Sequence, residues 1–78
     1  MELVQQGKAV CTLRNDDTTA YHVEITGDVN KDINVPELIP GQHVQFDLAP
    51  ISERKTGQLH VEWENHLGEK QVLDFTIH

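Results

Sequence analysis

The stretch Leu38-Ile39-Pro40-Gly41-Gln42-His43-Val44-Gln45-Phe46-Asp47-Leu48 joins a turn signal to a run of alternating polarity, and it constrains the fold more than any other part of the chain. Pro40 presets φ at about −65° for the first central position of a type II turn, and Gly41 tolerates the positive φ of the second. Beyond the turn, Val44, Phe46 and Leu48 alternate with His43, Gln45 and Asp47. That is the period of a strand with one dry face and one wet face. Such a pattern specifies a sheet and says little about chemistry.

The same period recurs along the chain. Residues 8–14 alternate so that Ala9, Cys11 and Leu13, or else Val10 with Thr12, face inward, and the first set holds more apolar area. Asn15-Asp16-Asp17 ends that run as a turn. Residues 21–26 place Tyr21, Val23 and Ile25 on one face and His22, Glu24 and Thr26 on the other. A loop over 27–31 follows, then a short strand over 33–35 that stops at Pro36, which cannot donate to a ladder and suits a sheet edge. Residues 49–56 are the longest connection, with room for one helical turn at most, and Gly57 closes it. Residues 58–64 turn Leu59, Val61 and Trp63 inward and His60, Glu62 and Glu64 outward. Asn65-His66-Leu67-Gly68 returns the chain into 71–77, where Leu73, Phe75 and Ile77 complete the core. A short Asn- and Gly-containing loop between alternating runs is a hairpin signature.

Strands at such short intervals, each with one apolar face, are best buried by two antiparallel sheets packed face to face. The expected fold is all-β: a small immunoglobulin-like antiparallel β-sandwich of about six to seven strands, forming a single domain over residues 1–78. A chain of this size buries only about 60% of the surface its unfolded form exposes, so the core is thin. Trp63 and Phe75, inward on adjacent strands, are expected to supply core area.

Asn15-Asp16, then Tyr21-x-Val23-x-Ile25, then Glu37-Leu38-Ile39-Pro40-Gly41-Gln42-x-Val44-x-Phe46 and Gly57-x-Leu59-x-Val61-x-Trp63 together resemble immunoglobulin-like modules of the CARDB and NEW3 type. The likeness spans residues 8–77. Modules of that type sit in secreted multidomain proteins as spacers or binding units. The resemblance implies a fold and no activity.

Thirteen acidic against six basic side chains give a net charge of −7, with the acids spread along the chain. Direct nucleic-acid binding is disfavoured, because phosphate backbones are gripped by clustered Lys and Arg and the one adjacent basic pair is Arg54-Lys55. Net charge speaks first to solubility, and next to a basic protein partner steered by the opposite field. No apolar run approaches the ~20 residues of a membrane span, and Met1-Glu2-Leu3-Val4-Gln5-Gln6 lacks the basic-then-apolar pattern of a signal peptide, so a cytoplasmic, non-membrane protein is expected. Cys11 stands alone, which precludes an internal disulfide and a cysteine-built zinc site.

Nucleophilic chemistry finds no support. Cys11 falls mid-strand on the apolar set, away from any feature that favours a thiolate, and Ser52 has no Gly elbow or local histidine. His22, His43 and His60 lie on polar strand faces with Glu24, Gln45 and Glu62 two positions on. If neighbouring strands gather them, His22, His43, His60, Glu24 and Glu62 are candidate ligands for zinc or nickel; if not, they are scattered surface residues. Asp28-Val29-Asn30-Lys31-Asp32 opens like a calcium loop but has Ile33 where Gly is needed and Ile39 in place of the bidentate Glu. Turn chemistry explains it better.

The sequence therefore predicts a non-catalytic acidic interaction module with no cofactor, with Glu24, Asp28, Asp32, Asp47, Glu62 and Glu64 as binding-surface candidates. Alternatives are a phage or mobile-element inhibitor that imitates nucleic acid before a host machine, a small virion or assembly component, and a His/Glu metal-site protein. A free edge, either the strand over 33–35 or the first strand, offers pairing with a partner or a homodimer.

Overall fold

The computed structural model describes residues 1–7, 9–50 and 56–78. Seven strands lie among the described residues: β1 (Glu2–Gln6), β2 (Val10–Arg14), β3 (Ala20–Gly27), β4 (Ile33–Leu38), β5 (His43–Asp47), β6 (Gly57–Glu64) and β7 (Lys70–Ile77). They form a three-stranded sheet in the order β1-β2-β5 and a four-stranded sheet in the order β4-β3-β6-β7, all pairs antiparallel. The chain changes sheet between β2 and β3, between β4 and β5, and between β5 and β6. Two pairs distant in sequence, β2 with β5 and β3 with β6, thus bring strands from separate parts of the chain side by side in the facing sheets. The result is an all-β, immunoglobulin-like sandwich.

Its core is the interleaving of the two inner faces. Cys11 and Leu13 of β2 and Phe46 of β5, with Leu48 just past it, meet Val23 and Ile25 of β3, Leu38 of β4, Leu59 and Val61 of β6, and Ile77 of β7. Trp63 and Phe75 pack against this cluster while remaining half-buried. Of the two inward sets weighed for β2, Cys11 and Leu13 are the buried one; Ala9 is exposed in the preceding turn.

The Pro40-Gly41 turn forms as its residues require. Gly41 sits at φ 83° and the Gln42 N–H donates to the Ile39 carbonyl at 3.0 Å, the bond and the positive φ of a type II turn. The β6–β7 hairpin closes through Asn65, whose side-chain oxygen accepts the N–H groups of Leu67 and Glu69, both at 2.9 Å, before Gly68 at φ 78° leads into β7. One polar residue is fully buried at the end of β2. Asn15 donates from its amide to the carbonyls of Thr18 (2.8 Å) and Leu38 (2.7 Å) and accepts the Asp17 N–H at 3.0 Å.

Several expectations need correction. Residues 2–6 form a strand that their sequence does not advertise, since Leu3 and Val4 are adjacent and the alternation is broken; pairing with β2 across the Gly7 turn determines it. The first strand expected from the sequence, which becomes β2, is consequently flanked on both sides and offers no free edge. β4 does lie at an edge, but it runs through Pro36 to Leu38 instead of stopping at the proline. An edge position lets the ring's missing N–H point away from the ladder. Tyr21 is exposed and Ala20 takes the inward position, because the β3–β6 register shifts between Tyr21 and Glu24, with His22 at φ 51°. Leu73 has inward parity opposite Val61 yet is 37% exposed. It lies on an edge strand, where three strands do not fully cover four. The connection expected over 49–56 falls largely on residues 51–55, which, with Lys8, Ser52 and the Arg54-Lys55 pair, lie outside the described residues.

Candidate functional site

The outer face of the four-stranded sheet gathers most of the charged candidates. Register alone sets its rows: Thr26, His60 and Asp74 lie side by side across β3, β6 and β7; Glu24, Glu62 and Val72 form the next row; Tyr21, Glu64 and Lys70 the third. Glu24 and Glu62 are direct cross-strand neighbours. Two like charges in that position oppose pairing. The bulge at His22 adds its imidazole to the third row, with Nδ1 at 3.5 Å from the Glu64 carboxylate.

His60 is the hub of the face. Its Nδ1 lies 2.6 Å from Asp74 Oδ1 and its Nε2 2.9 Å from Glu62 Oε1. Only the imidazolium can donate to both carboxylates at once. The hydrogen bond to Glu62, then that to Asp74, accordingly raises the His60 pKa above its ordinary value. Lys70 Nζ reaches the second Glu62 oxygen at 3.2 Å. With His60 as the larger influence and Lys70 the next, the Glu62 carboxyl is held below the usual range. The two cations thus offset part of the repulsion that Glu24 imposes on Glu62.

His43 does not join this group. It belongs to β5 in the other sheet, opposite Arg14, and the outward faces of a sandwich point apart. His22, Glu24, His60 and Glu62 share a face, but both His60 nitrogens are already engaged by carboxylates. Among the described residues no group of three or more His, Cys, Asp or Glu side chains is placed to hold a metal ion.

The remaining acidic candidates serve another region. Asp28 is committed to the fold: its Oδ2 accepts the Gln58 N–H at 2.7 Å and its carbonyl accepts that of Ala49 at 2.9 Å. Val29, between the acids of the would-be calcium loop, is buried and bridges Leu48. Asp47 lines a cleft of about 430 Å³ with Asn30, Lys31, Ile33, Gln45 and Phe46, where β5 passes the start of β4. Asp32 is exposed beside it. The six binding-surface candidates therefore divide, with Glu24, Glu62 and Glu64 on the sheet face and Asp28, Asp32 and Asp47 at one end of the sandwich.

Sequence reasoning omitted Asp74, Lys70 and Tyr21 from the site. Asp74 and Lys70 take outward parity from the alternation that turns Leu73, Phe75 and Ile77 inward, but their places opposite His60 and Glu64 depend on the hairpin register. Tyr21 was not, because the bulge that turns it outward leaves no mark in the alternation. Cys11 is fully buried, and burial pushes its thiol pKa up, away from nucleophilic use. No helix among the described residues is long and apolar enough to cross a membrane. No protein-family model matches the chain, and neither does a curated protein or a solved structure.

Proposed function

We propose that this sandwich is a non-catalytic interaction module whose four-stranded outer face receives a basic protein partner. The observation that carries the reading is the direct juxtaposition of Glu24 and Glu62 across β3 and β6. An arrangement that opposes strand pairing is stabilised when a Lys- or Arg-rich surface adds counter-charge. Glu64, His22 and Tyr21 border the pair, and an exposed Tyr supplies an amphipathic contact beside the carboxylates. A buried, protonated thiol and a histidine occupied on both nitrogens support binding over covalent chemistry.

The test is capture of partners from the source lysate by the tagged chain at low and at raised salt. A single stoichiometric basic partner released by salt is expected, since exposed charge pairs weaken under screening. Glu24→Gln with Glu64→Gln should weaken capture several-fold without lowering the melting temperature. A partner that is itself a nucleic-acid binder, and is displaced by DNA, would place the module among acidic mimics. Capture that survives high salt and both substitutions would overturn the reading.

A further inference from the structure

β7 is the last strand of the four-stranded sheet, so one of its sides faces no strand of that sheet. The Asn65 N–H donates to the Glu69 carbonyl at 2.9 Å and closes the hairpin, so the alternation of an antiparallel ladder directs the backbone groups of Gln71, Leu73, Phe75 and Ile77 toward β6. Those of Lys70, Val72, Asp74 and Thr76 then point away from the sheet. Gln5 bears out this parity at the next even position, where its side-chain amide accepts the His78 N–H at 3.3 Å and donates to the His78 carbonyl at 2.6 Å. A side chain thus caps that end of the edge as a neighbouring strand would.

The other edges are shorter or blunted. β4 carries Pro36 and lies beside the His22 bulge, part of the β5 edge is taken by the Asn30 N–H on the Asp47 carbonyl, and β1 has five residues. β7 has eight residues in unbroken register, no proline, and two adjacent exposed apolar side chains, Val72 at 46% and Leu73 at 37%. A long, regular, apolar edge is a template for another strand.

We propose that the occupant is a second copy of this chain, paired antiparallel about a twofold axis through Val72. Register and charge select this arrangement. Pairing about Val72 sets each Lys70 opposite the second copy's Asp74 and the two Val72 side chains against each other, with all three positions turning their free N–H and C=O groups to the partner. Pairing about Asp74 would oppose two carboxylates, and pairing about Leu73 would set Val72 against Asp74. Lys70 stays within reach of Glu62 of its own chain, and Asp74 within reach of His60, so the ion pairs continue across the axis. The two sheets become one of eight strands, with their acidic faces side by side. This interface is isologous, and it stands independently of the basic partner proposed above.

Sedimentation equilibrium of the 78-residue chain tests it. The expected mass rises with concentration toward twice the 8.9 kDa of one chain. Val72→Pro should hold the mass at that of one chain and keep a cooperative melt, because the Val72 N–H makes no bond within the sheet. Leu73→Pro removes a β6–β7 hydrogen bond and should lower the melting temperature. Should Val72→Pro fail to fold, Val72→Lys, which places two ammonium groups at the axis, must give a folded single chain. A native chain that stays single at every concentration, its edge left to some other strand, overturns the proposal. So does a dimer that persists in the folded Val72 variant.

Discussion

The side-chain amide of Asn15 donates to the backbone carbonyl of Leu38 at 2.7 Å, joining the end of β2 in one sheet to the end of β4 in the other. The same amide reaches the Thr18 carbonyl, and the Asn15 backbone continues the link: its N–H donates to the Gln42 carbonyl at 3.0 Å and its carbonyl accepts the Gly41 N–H at 2.7 Å. One residue therefore ties the β2–β3 corner to the Pro40-Gly41 turn. Asn15→Ala strands the Thr18 and Leu38 carbonyls and the Asp17 N–H, each group contributing a penalty of roughly 1–3 kcal/mol where it stays buried. Asn15→Asp should be at least as damaging at neutral pH, since a carboxylate faces two carbonyl oxygens. Urea denaturation midpoints check both, and an aspartate variant as stable as the native chain would show that the amide donors do not hold the corner.

Gly27 and Gly41 both have positive φ, at 104° and 83°, and they separate two effects. A Cβ at Gly41 meets nothing within 4 Å, so Gly41→Ala should lose only the left-handed backbone penalty of about 1–2 kcal/mol. A Cβ at Gly27 would collide with the Gln58 carbonyl oxygen, at the point where the Asp28 N–H donates to that same oxygen at 2.9 Å. Backbone cannot move aside as a flexible side chain does. Gly27→Ala should therefore be clearly the more destabilising of the two in thermal melts, and equal losses would contradict the close approach of β3 and β6.

The His60 cluster makes stability depend on pH in a defined direction. The folded-state pKa of His60 is raised, so its contribution is fully present below the ordinary value of 6.5 and is lost as pH rises through the folded pKa. Glu62 is lowered, so its contribution is present above the ordinary 4.5 and is lost as pH falls through the folded pKa. Both are intact together between about pH 4.5 and 6.5. The denaturation midpoint should consequently decline from pH 6 toward pH 9, and His60→Gln should flatten that decline. A His60 ring titrating by NMR below the ordinary value would refute the double hydrogen bond.

Alternation made β2, β3, β5, β6 and β7 legible, because a strand buried on one face must repeat every second residue. Val44, Phe46, Leu59 and Val61 lie inward where the pattern puts them. It could not reveal β1, whose Leu3-Val4 pair breaks the period, nor the exposure of Tyr21, which follows from a one-residue register shift. The site was legible to the same depth. Glu24, Glu62 and Glu64 were readable as outward, whereas the contact of His60 with Asp74 required knowing that β7 turns back along β6 in a particular register.

What the amino-acid order determined alone is local: the type II turn at Pro40-Gly41, the Asn65-to-Gly68 hairpin loop, and the inward face of most strands. These follow from backbone sterics and from side chains a few residues apart. Only the tertiary structure decided which strands are neighbours, and hence that Glu24 meets Glu62, that His43 stands apart from His22 and His60, and that β7 lies at the end of its sheet. Strand order depends on how two apolar faces best cover one another across connections that change sheet, and no short window of sequence contains that information.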